Sequence, residues 1–592
     1  MEKILTVPRE EKLETCFVTG NHFISLPEID EKGNIVTISA ALKSTASVVE
    51  LNGSPLLGPF LRLNGKNSEL CFTKATYEEY FIPTYYFTAE GIDGTMQIYV
   101  PEGIQGFVYQ ITLSGAGATA KVETGLHFAL ENTTRTIFHS YSLACGVRSF
   151  INQWTGCAVV ELTSSTGLLA VAGSGSGDYA AQENEKGFTL SHEFSLEKGQ
   201  QHTVYYYIAA AKEADGAALH NMDMRRRGGA SLYSRTKEAL TLANITLKDK
   251  HLEKLANLNG HFCYYFCAGY TLDTAELVLM TSKSHRYYVS AAFWARDTFL
   301  WAFPSLLRRN VAFAKEVLLS GFTTYIKNIG IHALYIDGTV LYPGFELDEL
   351  CAILIALERY ITVTKDEGIL AQSYVQSGIK AILTELGNWY NNQLGLYATE
   401  LNPSDDPVQY PYLTYCNVLA WKGLKAAANW GFSPAAKADL LKTAIIENCI
   451  AEKDGKKIYA WAVNEQGGQE IYDNPPGSLV LLSYYGFCSP QDEIYRNTVE
   501  YCYSANNPYF YQEGEMFGQG CEHVKHPWIK SICSYLLANG RDEKFVRVLH
   551  GVTMDNYISS ESFDVKNGTA KTGVAFATMA GFLSNTILET LE

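Results

Sequence analysis

The pattern of apolar and polar positions changes character near residue 247. Before about residue 212 it has the period of a β-strand. Val36-Thr37-Ile38, Met96–Val100 and Phe107–Leu113 alternate or run apolar over strand length, and Gly33-Asn34, Asp93-Gly94 and Gly115-Ala116-Gly117 supply turns between them. Val204–Ala209 reads as a last, central strand. Many short strands with frequent turns predict an N-terminal antiparallel β-sandwich over residues 1–212. Gly173-Ser174-Gly175-Ser176-Gly177 lacks the strand–loop–helix setting of a phosphate loop and predicts a flexible hairpin. Residues 213–246, rich in Ala, Arg, Lys and Glu, predict a helical linker. From 247 the period becomes 3.6. Helices are predicted over 247–268, 291–307, 310–328, 346–363, 368–390, 413–429, 433–450, 476–486, 491–504, 526–539, 541–556 and 572–590, with no strands between the larger ones. About a dozen helices without a fixed internal repeat predict an (α/α)6 toroid over 247–592, with loops at one end lining a central pocket.

Composition narrows the partners. The chain of 592 residues is long enough for two domains, and 47% hydrophobic with 19% charged residues describes a folded globular protein. A formal net charge of −16 argues against nucleic acid or an anionic membrane as the main partner. The 13 Cys lack metal-ligand spacing and read as buried free thiols in a reducing compartment. Met1-Glu2-Lys3-Ile4-Leu5 runs into Arg9, Glu10, Glu11 and Lys12 without an apolar stretch of signal-peptide or membrane-span length, so a cytoplasmic protein is expected. No cofactor and no metal is implied, and the oligomeric state is left open.

Candidate chemistry lies in the helical half. Asn402-Pro403-Ser404-Asp405-Asp406-Pro407 and Ser560-Glu561-Ser562-Phe563-Asp564 each fall in a break between helices. Two acids brought from separate loops are what glycoside hydrolysis needs, one to protonate the leaving oxygen and one to activate water. Either loop alone reads as an ordinary solvated helix cap, and the catalytic reading rests on what accompanies the pair. Phe293-Trp294-Ala295-Arg296-Asp297-Thr298 opens an apolar helix. There Asp297 is a cap or, with Arg296, a charged fork for vicinal hydroxyls. In Phe345-Glu346-Leu347-Asp348-Glu349-Leu350, complementing the helix dipole accounts for Glu349 and less well for Glu346 and Asp348. Tyr410 and Asn417 follow the double Asp. His523 sits in the Gly-bounded loop Gly518–His523, beside Glu522, His526 and Trp528.

These segments, in this order, resemble glycoside hydrolase family 125, the metal-independent exo-α-1,6-mannosidases. The resemblance is carried by Trp294–Asp297, Phe345–Asp348, Pro403–Asp406, Asp473-Asn474, Leu481–Phe487, Ile494–Thr498, Asn507-Pro508-Tyr509 and Glu561–Asp564, over roughly residues 285–590. It implies an (α/α)6 catalytic domain and inverting hydrolysis of a non-reducing terminal α-mannoside, without a metal. One Asp of the 405–406 pair would be the acid, assigned to Asp405 with Asp406 as the alternative or supporting group, and Glu561 would be the base. Trp294, Arg296, Asp297, Glu346, Asp348, Tyr410, Asn417 and His523 would bind the sugar. The family's Arg before Pro-Ser-Asp-Asp is Asn402 here. The large β-domain is more like that of amylo-α-1,6-glucosidases and several glycoside phosphorylases. An α-glucosidase, a phosphorylase and a non-catalytic sugar-binding protein are therefore the competing readings, all with an oligosaccharide partner.

Overall fold

The computed structural model describes residues 4–7, 16–115, 117, 119–131, 133–136, 141–164 and 167–592. The stretch Arg9–Lys12 and Ala116 lie outside them. The chain divides into two compact units. The first comprises residues 1–245, 268–278 and 283–291, the second 246–267, 279–282 and 292–592.

The first unit is built on two antiparallel sheets of nine and ten strands. The strand-period segments form as read. Val36–Ile38 falls in Ile35–Leu42, Phe107–Leu113 in Gly106–Gly115 and Val204–Ala209 in Gln201–Ala211. The last of these is central, pairing with Gly106–Gly115 on one side and Gly167–Gly175 on the other. The sheets pack face to face through Phe17 of one against Tyr77 and Tyr85 of the other, at 4.8 and 5.4 Å between ring centroids. Gly173–Gly177 differs from the hairpin expectation. Residues 173–175 complete a buried strand. Gly173 is there because Phe188 of the facing sheet takes the space: a Cβ would lie 2.5 Å from its ring.

Residues 213–246 also differ from a linker. The helix Ala214–Arg227 lays Ala214, Ala217 and Ala218 on Cys157, Ala170 and Ala172. Asn221 fixes it by donating to the carbonyls of Ala172 and Tyr207. Small residues let helix and sheet approach closely, so an alanine-rich composition here signals packing. Residues 283–291 join the same unit through two cations, the buried Lys283 and the half-buried His285. Lys283 donates to Asn21 O at 2.6 Å. His285 lies 2.7 Å from Glu50 and 3.3 Å from Glu28.

The second unit is helical, with elements close to the predicted ones. The helices Leu347–Thr364, Thr414–Asn429, Ile529–Asn539 and Ala577–Thr590 are buried over most of their surface. Val311–Ser320, Ser373–Asn388, Ala435–Asn448 and Glu543–Gly551 bury one face only. These eight alternate along the chain, while Glu493–Cys502, which also buries one face, comes between Ala435–Asn448 and Ile529–Asn539. The last helix packs on Lys250–Phe266 and on Phe303–Arg309. Gly581 permits this, since a Cβ there would come within 2.5 Å of Cys263 Sγ and 3.0 Å of Ala302 Cα. Contrary to expectation, short strand pairs connect the helices, among them Ala292–Phe293 with Ile331–Tyr335 and Val340–Phe345, and Ser562–Phe563 with Ala570–Thr572. Among the described residues no helix is long and apolar enough to cross a membrane. The cysteines form no disulfide among the described residues; nine are buried, and Cys71 is exposed, unlike the buried thiols expected.

Burial alone would lower the pKa of His285, but its contacts with Glu28 and Glu50 outweigh it and raise the group to about 9. The folded value lies above the ordinary 6.5, so the contribution to stability is complete below about pH 6.5 and is lost as pH rises through about 9. His285→Gln should therefore cost on the order of 2 kcal/mol at pH 6 and much less at pH 10, read from unfolding of wild type and variant at the two pH values. An equal cost at both would contradict the ion-pair assignment.

Candidate functional site

Arg296 organises the site. It begins a π-helical segment, Arg296–Ala302, in which Phe303 N donates to Thr298 O, five residues back. The side chain is 2% exposed. Its Nη1 lies 2.6 Å from Glu346, 3.1 Å from Asp348 and 3.4 Å from Glu349. Its Nη2 lies 2.7 Å from Asp405, and its Nε is 3.6 Å from Asp297.

Three of these acids come from the start of one helix. Glu346 is the N-cap residue of Leu347–Thr364, and Asp348 and Glu349 lie in its first turn. The dipole reading of Glu349 is incomplete. It is buried, and Glu349 Oε2 accepts from the backbone N–H groups of Ala295 and Arg296. It therefore fixes the turn that presents the guanidinium. Asp297 accepts from Thr578 Oγ1 at 3.0 Å.

Asp405 is the exposed member, with 42% of its side chain accessible. It occupies the left-handed region at φ 68°, which a non-glycine residue adopts only when its surroundings impose it. Asn402 imposes it here. Its side-chain oxygen accepts from Ser404 N and Asp406 N, while Asp405 N donates to Asn402 O. Asn402 is thus the staple of the acidic loop.

One guanidinium cannot balance five carboxylates in a buried space, because each uncompensated charge costs several kcal/mol. The group holds protons instead. Burial raises Asp297 and Glu346 to about 7 each, with Arg296 opposing the shift, and raises Glu349 well above its ordinary value. His332, which sequence reasoning missed, completes the group. It projects from the strand Ile331–Tyr335, and Nδ1 bonds Glu346 Oε1 and lies 3.8 Å from Asp405. Trp294 meets the His332 ring edge-on at 5.7 Å. His332, Glu346 and Asp405 bring donor atoms within 4.8 Å of one another, a spacing that a metal ion could use. The guanidinium already bridges Glu346 and Asp405 and supplies a permanent positive charge there. The buried Trp294 Nε1 and Asp348 Oδ1 have no protein hydrogen-bond partner.

The remaining candidates separate. Asp406 bonds His523 Nδ1 at 3.0 Å, and this contact raises His523 to about 11. Tyr410 is half-buried and forms no hydrogen bond with the Arg296 group; its hydroxyl abuts Gly468. Asn417 is a correction. It is fully buried, accepting from Tyr397 N and donating to the carbonyls of Tyr397 and Leu413, so its amide holds backbone and is not free for a sugar. Glu561 is 2% exposed. Its N–H donates to Gly573 O, and Phe576 N donates to Ser559 O. The Glu561 loop is thus tied to the segment that leads to Thr578, the partner of Asp297.

Residues 381–588 match the family model of the metal-independent α-mannosidases, GH125. The meiotically up-regulated gene 157 protein of Schizosaccharomyces pombe is 25% identical over 221 residues, which cover 34% of this chain and 43% of that protein. The chain therefore matches less than half the length of that relative. A bacterial glucoamylase complexed with acarbose shares the fold over 100% of this chain and 96% of its own, at 12% identity and a TM-score of 0.63. A putative kojibiose phosphorylase from the human microbiome does so over 99% and 88%, at 12% identity and 0.64. A Streptococcus pneumoniae metal-independent α-mannosidase, in a non-productive complex with α-1,6-mannobiose, covers 57% of this chain and 93% of its own at 21% identity and 0.49. The matched residues 381–588 carry Asp405, Asp406, His523 and Glu561, and they follow a β-rich N-terminal unit.

Proposed function

We propose that the protein is an exo-acting, inverting α-glycosidase that removes a non-reducing terminal α-mannose from an oligosaccharide. The observation that carries this reading is Asp405. It is the open member of a buried, proton-holding carboxylate group, in a segment of the α-mannosidase family type. A general acid needs a proton near neutrality and a counter-charge once the proton has left. Asp297 and Glu346, with values near 7, hold exchangeable protons beside Arg296, and Arg296 at 2.7 Å from Asp405 supplies the counter-charge. Asp406, paired with His523, orients the loop. Glu561 is the base that activates water on the opposite face of the sugar.

Arg296, Asp297, Glu346 and Asp348, with Trp294 beside them, are buried and set the position of Asp405, the member open to the sugar. Trp294 Nε1 and Asp348 Oδ1 offer one donor and one acceptor still to be satisfied. The alternation of fully buried and one-face helices supports an (α/α)6 toroid around this site, and thirteen free cysteines support a reducing, cytoplasmic setting. The whole-length likeness to a glucoamylase and to a phosphorylase gives an α-glucoside, or phosphate in place of water, as the second reading.

Hydrolysis of a panel of α-mannosides and α-glucosides, with and without phosphate, tests the assignment. Phosphate-independent release of mannose, first as the β-anomer by proton NMR, is expected. Asp405→Asn and Glu561→Gln should each lower kcat by about 10²–10⁴-fold on unactivated substrates. Asp405→Asn should recover much of its loss on aryl mannosides with acidic leaving groups, because these need no proton. A comparable recovery in Asp406→Asn instead would move the acid to Asp406. Release of glucose would keep the chemistry and change the sugar, and turnover only with phosphate would overturn hydrolysis.

Arg296→Met should abolish turnover and cost roughly 3–5 kcal/mol of stability at pH 7, because it leaves buried carboxylates without their cation. The loss should shrink toward pH 5, where Asp297 and Glu346 are protonated, as chemical denaturation at the two pH values would show.

A further inference from the structure

Lys530 is the second buried cation near the site and has no role in the reaction as proposed. It lies in the first turn of Ile529–Asn539 and is 0% exposed. No carboxylate among the described residues is within ion-pair distance of it. Nζ donates to Pro475 O at 3.0 Å and lies 5.3 Å from the Trp301 ring centroid and 4.7 Å from that of Phe582.

Each contact leads to a different part of the site. Pro475 belongs to the turn Pro475–Gly477. The preceding Asn474 accepts from Ser404 Oγ at 3.1 Å, next to Asp405. Gly477 has no room for a side chain: a Cβ would come within 2.5 Å of Pro403. Trp301 lies in the π-helical segment that begins with Arg296 and Asp297. On the other side Trp528, two residues before Lys530, pairs with Ser562, and Pro527 O accepts from Phe563 N, so the strand next to Glu561 is held as well.

A buried lysine without an ion pair is costly to keep, since desolvation penalises its charge. Burial pushes the amine down to about 7, with Arg296 acting in the same direction and Cys533, Asp473 and Asp297 opposing. A methionine would fill the space without that cost. We propose that Lys530 is a positioning residue that locks the Asp405 loop, through Pro475, to the Glu561 loop, through the Trp301 ring, which meets Phe576 edge-on at 6.0 Å and so reaches the Phe576 N–H bond to Ser559 O. The inference rests on the glycosidase reading for its kinetic consequence, but not for its structural one.

The test uses the full-length chain with Lys530→Met, Ser404→Ala and the double variant. Ser404→Ala cuts the same connection at its far end and leaves the buried amine in place. Hydrogen exchange measured by mass spectrometry needs no substrate. Both single variants should speed exchange over residues 400–408. Lys530→Met should also speed it over 558–565, and the strand Gly106–Gly115 should be unaffected. Unchanged exchange over 400–408 and 558–565 in Lys530→Met would overturn the inference, whatever the enzyme does. If Lys530→Met fails to fold, unchanged exchange over 400–408 in Ser404→Ala overturns it instead. On the mannoside that wild type hydrolyses best, Lys530→Met should lower kcat by about 10–100-fold with KM within about threefold, as a displacement of catalytic groups predicts. The double variant should be no slower than the slower single variant. Independent, multiplying losses would show that the two residues do not share one connection. If wild type hydrolyses no mannoside or glucoside, the glycosidase reading fails, and the exchange data still decide the role of Lys530.

Discussion

The site depends on a single charge that cannot be removed. A guanidinium stays protonated at any pH at which a protein folds, so Arg296 is a fixed positive centre in a water-poor space. Asp297, Glu346, Asp348, Glu349 and Asp405 are arranged around it, from three separate segments of the chain. Their mutual repulsion would otherwise drive those segments apart. Because the acids outnumber the cation, the group is short of positive charge and makes up the difference with protons. Structural cohesion and acid–base capacity thus come from the same imbalance.

The scaffold delivers these groups by local devices of modest strength. Glu349 turns back on the amides of Ala295 and Arg296, Asn402 staples the double-Asp turn, and Thr578 holds Asp297 from the last helix. Each is worth about a hydrogen bond or two, on the order of 1–3 kcal/mol where a charged group takes part. Their value lies in direction. A carboxylate fixed by two backbone amides has little freedom left, and a carboxylate held at positive φ has no alternative path through its loop. The buried helices provide the rigid ends from which these short segments span.

The large features could be read from the residues because they repeat. Leu347–Thr364 and Thr414–Asn429 follow apolar positions over four turns, and their ends lie within a residue or two of the periodic pattern. The motifs around Arg296, Glu346 and Asp405 were visible as acids and an arginine in the wrong company, beside aromatic and proline residues. What stayed hidden lacks a period or has an ambiguous one. Strands of two to five residues, such as the one bearing His332, are too short to alternate detectably. Glu349 looks the same whether it complements a helix dipole or grips a buried arginine. Asn417, polar among tyrosines, resembled a ligand yet spends its amide on backbone. Lys530 stands beside Ser531 in a mixed stretch, where a polar residue reads as part of an exposed helix face. In each case the missing information was a contact between residues distant in sequence.

The π-helical segment Arg296–Ala302 carries a consequence for how this chain can vary. A π turn is an α turn with one extra residue, and each residue of an α-helix advances the chain by about 100°. Loss of any one residue between Arg296 and Phe303 would let the segment relax to ordinary helical winding. Every side chain upstream would then swing by that angle relative to the helix Phe303–Arg309. The surplus residue is therefore a phase setting. It keeps the guanidinium aimed at its carboxylates while the rest of the helix keeps its apolar face toward the core, and two surfaces with different angular requirements coexist on one continuous piece of chain.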